Sequence, residues 1–228
     1  MSDASFSPAL FDFLHELEAN NERDWFEANK SRYERDIKEP AFAFISSVGP
    51  GLREISPELQ AIPRAVGGSL MRIYRDVRFS ADKRPYKTNV GIQFRHSHGK
   101  DVHAPGFYLH LATDDCFLAT GVWKPPSAVL KQTRQSMLDD PDGWLSVRDD
   151  AEFSAAFELE GESLKTAPRG VDKEHPLIED LRRKDLIAVA HLDQETVTAP
   201  DFQERFLALC RAGRPLTAWV CDAIGAPF

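Results

Sequence analysis

The sequence predicts an α+β fold: a central, mostly antiparallel sheet with N-terminal and C-terminal helices packed on one face. Three observations carry this. Apolar residues recur at helical spacing through residues 7–55, alternate with polar ones between residues 69 and 123, and return to helical spacing after Pro125-Pro126. The short link Thr113-Asp114-Asp115 joins two alternating runs, which makes them antiparallel neighbours. At 228 residues, with 42% hydrophobic and 28% charged positions, the chain can bury a full core and falls outside disordered and disulfide-scaffold compositions. One domain over residues 1–228 is expected, with a helical part 7–55, a sheet 69–123 and a helical part 125–224.

The elements follow in order. Ser7 is placed to cap a helix with Pro8 in its first turn, where the missing N–H costs nothing, and Leu10, Phe11, Phe13, Leu14 and Leu17 form its apolar stripe. Asn21 is read as the next cap, with Asp24 reaching back, and the stripe Phe26, Tyr33, Ile37 ends at Pro40. Phe42, Ile45, Val48, Leu52 and Ile55 make a third helix that Gly49-Pro50-Gly51 should kink or divide. Residues 56–68 are loop. Strands are expected at Ser69–Arg75, Asn89–His96, Phe107–Thr113 and Cys116–Trp123. Helical spacing returns through Val129, Thr133 and Met137, around Trp144, around Phe153–Phe157 and over Pro176–Lys184. Leu186–Leu192 reads as a further strand, and two helices, one carrying Phe202, Phe206 and Leu209 and one carrying Leu216, Trp219 and Val220, end the chain.

Composition excludes several functions. With 28 basic and 36 acidic residues the net charge is −8, which disfavours a coat for nucleic acid or anionic lipid. No apolar run approaches the roughly 20 residues of a membrane helix, and Met1-Ser2-Asp3-Ala4-Ser5 shows no leader pattern, so a cytoplasmic location is expected. Cys116, Cys210 and Cys221 lack metal-type spacing and suit reduced thiols. The sequence has no phosphate-loop, dinucleotide, zincin, CxxC or nucleophile-elbow motif, and no cofactor is expected. His96, His98 and His103 cluster, but no carboxylate or thiolate joins them at tight spacing, so no metal site is assigned.

Two blocks of charge stand out. Residues 64–100 hold nine Lys or Arg against Asp76 and Asp82, and nine acids lie between Asp139 and Glu162. The acids could form a solvated helical surface, with the basic block pairing across the fold.

Alternation also sorts polar side chains. If the strands are neighbours, the face opposite Val90, Ile92, Phe94, Phe107, Leu109 and Leu111 gathers Arg72, Tyr74, Gln93, Arg95, Tyr108 and His110. The densest polar stretch is residues 72–89. Arg72, Arg75, Arg78, Lys83, Tyr86 and Lys87 are candidates to bind a phosphorylated or carboxylated small molecule, with Asp76 and Asp82 orienting them. Asp82, Tyr108 and His110 are candidates for proton exchange. A second possibility makes the same stripe, with Tyr74, Phe79, Tyr86 and Phe94, a surface for nucleic acid or an acidic protein segment. A third has the Arg and Asp residues satisfying one another to pin the loop. Lys165, Arg169 and His175 could close over the patch, although a surface turn is the simpler reading of His175-Pro176.

The string Arg72-Ile73-Tyr74-Arg75-Asp76-Val77-Arg78-Phe79-Ser80, followed by Asp82-Lys83 and Pro85-Tyr86-Lys87-Thr88-Asn89, resembles the signature of the domain of unknown function 2461 family, conserved hypothetical proteins of bacteria and fungi. Asn20-Asn21-Glu22-Arg23-Asp24-Trp25-Phe26, Pro105-Gly106-Phe107-Tyr108-Leu109-His110-Leu111, and Gly161-Glu162-Ser163-Leu164-Lys165 with Pro168-Arg169-Gly170 and His175-Pro176 are similar to its other motifs. The likeness runs from about Phe6 to Ile224. It implies a shared fold and brings no activity, cofactor or catalytic residue with it.

Overall fold

The computed structural model describes residues 6–99 and 103–228. The leader reading of residues 1–5 and Lys100 of the basic block lie outside the described residues. Helix α1 (Pro8–Ala19) starts with Pro8 in its first turn and buries Leu10, Phe11, Phe13, Leu14 and Leu17. Helix α2 (Arg23–Ala28) is preceded by Glu22 rather than capped by Asn21, whose side chain turns inward instead. It leads through α3 (Lys30–Tyr33) and a π-helical turn, Glu34–Lys38, into α4 (Glu39–Ile55).

Pro40 does not stop this helix. In the first turn of α4 it lacks only one N–H, and the wider π turn before it accommodates its ring. Gly49-Pro50-Gly51 does not divide α4 either. Phe44, Ile45, Val48 and Leu52 are fully buried and hold it on the core. Gly51 is where the C-terminal helix crosses, since a Cβ there would stand 2.6 Å from Leu207 Cδ1.

Five strands form the sheet: β1 (Asn89–Arg95), β2 (Gly106–Ala112), β3 (Cys116–Val122), β4 (Glu158–Glu160) and β5 (Leu186–Leu192). Their spatial order is β1-β2-β3-β5-β4, and every adjacent pair is antiparallel. The sheet therefore extends past residues 69–123, taking in the expected strand β5 and the three-residue β4, too short to show a period.

Ser69–Arg75 is not a strand. It touches the edge of β1 through a single bridge, Leu70 to Ile92, and then pairs with its own continuation, Tyr74 to Tyr86. Backbone hydrogen bonds from Arg75 to Pro85 and from Lys87 to Ile73 close this hairpin-like excursion. A segment that turns back on itself cannot extend the ladder.

Between β3 and β4 lie α5 (Ser127–Asp139), α6 (Pro141–Arg148) and α7 (Ala151–Ala156), with the four-residue α8 (Ile178–Leu181) before β5. After α9 (Gln194–Thr198), a single 22-residue helix, α10 (Phe202–Ala223), replaces the expected pair. It runs through Pro215 because its buried stripe Phe206, Cys210, Gly213, Leu216, Thr217 and Val220 is unbroken. Thr120 Oγ1 of β3 donates to the Gly213 carbonyl at 3.0 Å, tying helix to sheet. Phe94 of β1 meets Phe206, and Phe44 of α4 stacks on Phe202, so the helices and one sheet face share one apolar core.

Among the described residues the two charge blocks form no ion pair with each other. Asp140 and Asp150 cap α6 and α7 by accepting from the amides of Gly143 and Phe153. Among the described residues, the basic block finds its carboxylates internally: Asp76 for Arg78, and Asp82 for Arg75 and Arg84.

Candidate functional site

Helices cover one face of the sheet, and the other face carries a cavity of about 590 Å³. Strand alternation supplies its floor: Asn89 and Gln93 from β1, Tyr108 and His110 from β2, Phe117 and Ala119 from β3, Ile187 and Val189 from β5. Met71 and Lys87 form one rim, and Ala104 and Trp123 form another. Most of this lining is apolar.

The polar groups gather at the β1–β2 end in a defined sequence of hydrogen bonds. Asn89 stands within hydrogen-bonding reach of the Tyr108 hydroxyl. Tyr108 Oη lies 2.9 Å from His110 Nδ1, and which of the two donates follows the imidazole tautomer. In the tautomer whose Nδ1 accepts, the neutral imidazole carries its proton on Nε2, which has no protein partner among the described residues. His110 stacks on Phe117 with ring centroids 4.7 Å apart and planes within 5°. Burial pushes the Tyr108 hydroxyl up to about 12. The same cause lowers His110, overriding the pull of Asp115 and Asp114. Both groups are therefore held neutral at the cavity floor.

Gly91 makes room for this arrangement. A Cβ at that position would come within 2.8 Å of Tyr108 Oη and 3.1 Å of Met71 Sδ.

Lys87 lies where the large cavity meets a second one of about 250 Å³ lined by Arg75, Asp82, Arg84, Tyr86, Thr88 and Asn89. Burial, and then the neighbouring Arg72, lower its pKa. Among the described residues Lys87 has no carboxylate partner, whereas Arg72 shares the field of Asp76.

The remaining candidates of residues 72–87 are occupied. Arg75 donates to Asp82 Oδ2 at 2.6 Å, and Arg84 donates to the same carboxylate. These hydrogen bonds, Arg84's first, hold Asp82 far below the usual carboxylate range, which leaves it a fixed anion. Arg78 forms a two-pronged pair with Asp76, whose carboxyl is lowered to about 2 by those bonds. Lys83 Nζ donates to the Val77 carbonyl.

The gathered patch divides. Gln93, Tyr108 and His110 line the cavity, while Tyr74 packs with Phe26 and Tyr86, and Arg95 reaches the Gly67 carbonyl. Of the aromatics proposed for stacking on a partner, Phe94 and Tyr86 are core, at 0% and 3% exposure. Phe79 is 95% exposed, with the Arg78 guanidinium 5.8 Å from its ring centre.

The histidines outside the cavity floor are engaged locally. His96 Nε2 contacts the Pro227 carbonyl, His98 donates its amide to His96 Nδ1, and His103 stacks on Trp123. Among the described residues no three His, Cys, Asp or Glu side chains group at metal-binding range. Cys116, Cys210 and Cys221 are free and buried. His175 Nδ1 accepts from the Leu177 amide, serving its own turn, and neither it nor Lys165 or Arg169 lines the cavity.

Sequence patterns alone do not single out Met71, Phe117, Trp123, Glu160, Ile187 and Val189 as cavity residues. Sorting Leu186–Leu192 by alternation sets Ile187 and Val189 on one face, but does not show that β5 lies beside β3.

These features define an α+β protein with a helix-covered sheet face and an opposite face open over an apolar cavity. The chain belongs to the family described as conserved hypothetical protein, DUF2461, whose family model matches residues 9–219. No curated protein and no solved structure matches the chain significantly. Among the described residues no helix is long and apolar enough to cross a membrane.

Proposed function

We propose that the protein binds a small molecule with an apolar body and a phosphate or carboxylate head. The observation that carries this reading is Lys87, a half-buried cation without a carboxylate partner among the described residues, set at the rim of an apolar cavity. Holding an uncompensated charge against burial is costly, and an anionic ligand would offset that cost. Arg72 adds positive potential, and His110, in the tautomer that carries its proton on Nε2, supplies a neutral donor for a second oxygen of the head. Phe117, Ala119, Ile187 and Val189 then take the body, in the usual manner of a mainly apolar pocket with few polar contacts.

Thermal unfolding with decyl phosphate and with decanoate tests this. A saturable rise in Tm is expected, growing with the logarithm of ligand concentration once the site fills. Lys87→Met should abolish it, and Arg78→Ala, which disturbs an exposed ion pair and an exposed ring contact away from the cavity, should leave it intact. Equal stabilisation of the wild type and Lys87→Met would sink the reading.

A further inference from the structure

Lys87 and Glu160 are the two charged residues among the described residues lining the cavity. They sit at opposite edges of the sheet. Lys87 precedes β1, the first strand in spatial order, and Glu160 ends β4, the last. Four inter-strand steps of about 4.8 Å place roughly 19 Å between those edges. The register adds an offset along the strands. Glu160 is level with Ile187, Gly121, Gly106 and Arg95, whereas Lys87 lies beyond the other end of β1. The cavity therefore runs diagonally, from a cation at one corner to a carboxylate at the other.

The floor between them changes in character. Polar atoms from Asn89, Tyr108 and His110 serve the Lys87 end, and Phe117, Ala119, Ile187 and Val189 make the middle apolar. A peptide backbone lying there would leave its N–H and C=O groups unpaired, whereas a hydrocarbon or aromatic chain would not. At the far end Glu160 Oε1 accepts from His191 Nε2 at 3.1 Å, and Oε2 has no partner among the described residues. That carboxylate oxygen can take a hydrogen bond from an amine.

From this we infer that the ligand is two-ended: an elongated molecule with a carboxylate or phosphate at Lys87, an apolar middle, and an amine at Glu160. The inference rests on the anion-binding reading above and adds the substrate class.

A series of ω-amino carboxylates from ω-aminohexanoate to ω-aminohexadecanoate, with the unsubstituted fatty acids as controls, tests it by calorimetric titration. Short members, whose amine cannot reach Glu160, should bind the wild type and Glu160→Gln alike. Once the chain is long enough, the wild type should bind the amino acid about tenfold more tightly than Glu160→Gln does, as expected for one charge-assisted hydrogen bond. Fatty acids should bind both proteins equally. If no chain length distinguishes Glu160→Gln from wild type while Lys87→Met still loses all binding, the two-ended ligand is wrong and the anion site stands. If Lys87→Met binds every member as the wild type does, the anion site itself fails. Should the Glu160 variant fold poorly, chain length in the wild type alone decides the question: affinity for amino acids relative to fatty acids must rise with length, and a flat ratio overturns the two-ended ligand.

Discussion

Asn21 and Tyr86, 65 positions apart, exchange two hydrogen bonds: Asn21 Nδ2 donates to the Tyr86 carbonyl at 3.1 Å, and the Tyr86 amide donates to Asn21 Oδ1 at 3.0 Å. One side-chain amide thus satisfies both backbone groups of a residue that no regular strand holds. Tyr86 also stacks on Phe26 of α2, with centroids 4.1 Å apart. The residue after it is Lys87, so this clamp fixes the approach of the cationic rim to the cavity. Asn21→Ala would leave a buried N–H and C=O unpaired, each costing about 1–3 kcal/mol. A loss of roughly 3 kcal/mol in urea unfolding is expected, with weaker binding of decyl phosphate. A change below about 0.5 kcal/mol, the scale of a surface substitution, would show that water replaces the clamp.

Gly91→Ala should act on the site more than on the backbone. The position is ordinary extended strand, but the added methyl would press on Tyr108 Oη and Met71 Sδ. Displacing Tyr108 breaks its bond to His110 Nδ1 and leaves the imidazole without that anchor. Overpacking of this kind costs about 1–3 kcal/mol. Ligand affinity should fall severalfold in titration, whereas Gly91→Ala combined with Tyr108→Phe, which removes the closest of the contacts, should recover part of the stability but not the affinity. Gly121 offers a contrast. Its φ is +102°, and a Cβ would overlap the Leu186 carbonyl at 2.1 Å, so Gly121→Ala should fail to fold.

Much of the fold was legible because periodicity survives where elements bury a face. The alternation of Val90, Ile92, Phe94 and of Phe107, Leu109, Leu111 marks β1 and β2, and both sets face the helices. Breaker residues misled where packing outweighed local preference. Pro40 and Pro50 both sit in a continuous helical run whose apolar stripe is buried. The site was legible only in part. Tyr108, His110 and Gln93 follow from alternation alone, and Lys87 was among the cations of the dense stretch. That Asp76 and Asp82 would occupy Arg75, Arg78 and Arg84 depends on a loop conformation that composition does not encode. Glu160 reaches the cavity only because β5 inserts between β3 and β4, an order set by tertiary contacts rather than by any local pattern.

His110 makes acid stability a readout of the cavity. Burial lowers its folded pKa below the ordinary value of 6.5. As pH falls through that value the unfolded chain takes up a proton that the folded protein refuses, so the contribution is destabilising and grows until the folded pKa is passed. His110→Gln removes this contribution. Between about pH 8 and pH 5 the Tm of the wild type should fall relative to that of His110→Gln. Bound decyl phosphate should reverse the trend by favouring imidazolium next to its head. Parallel pH curves for the two proteins would mean that His110 titrates as if in water.

Lys87 separates stability from function most clearly. Its ammonium is disfavoured first by burial and second by Arg72, and among the described residues no carboxylate compensates. Both Lys87 and Met71 line the cavity, and a methionine side chain, close in length to the lysine stem, can fill the space without the charge. A residue kept for folding would lose stability on that exchange. One kept for an anionic ligand should gain it, because the desolvation cost disappears and nothing is left unpaired. Lys87→Met is expected to raise unfolding stability by on the order of 1 kcal/mol while decyl phosphate no longer protects the protein. Urea unfolding with and without ligand measures both quantities in one experiment. A less stable variant would assign Lys87 to the scaffold and return the search for an anion site to Arg72 alone.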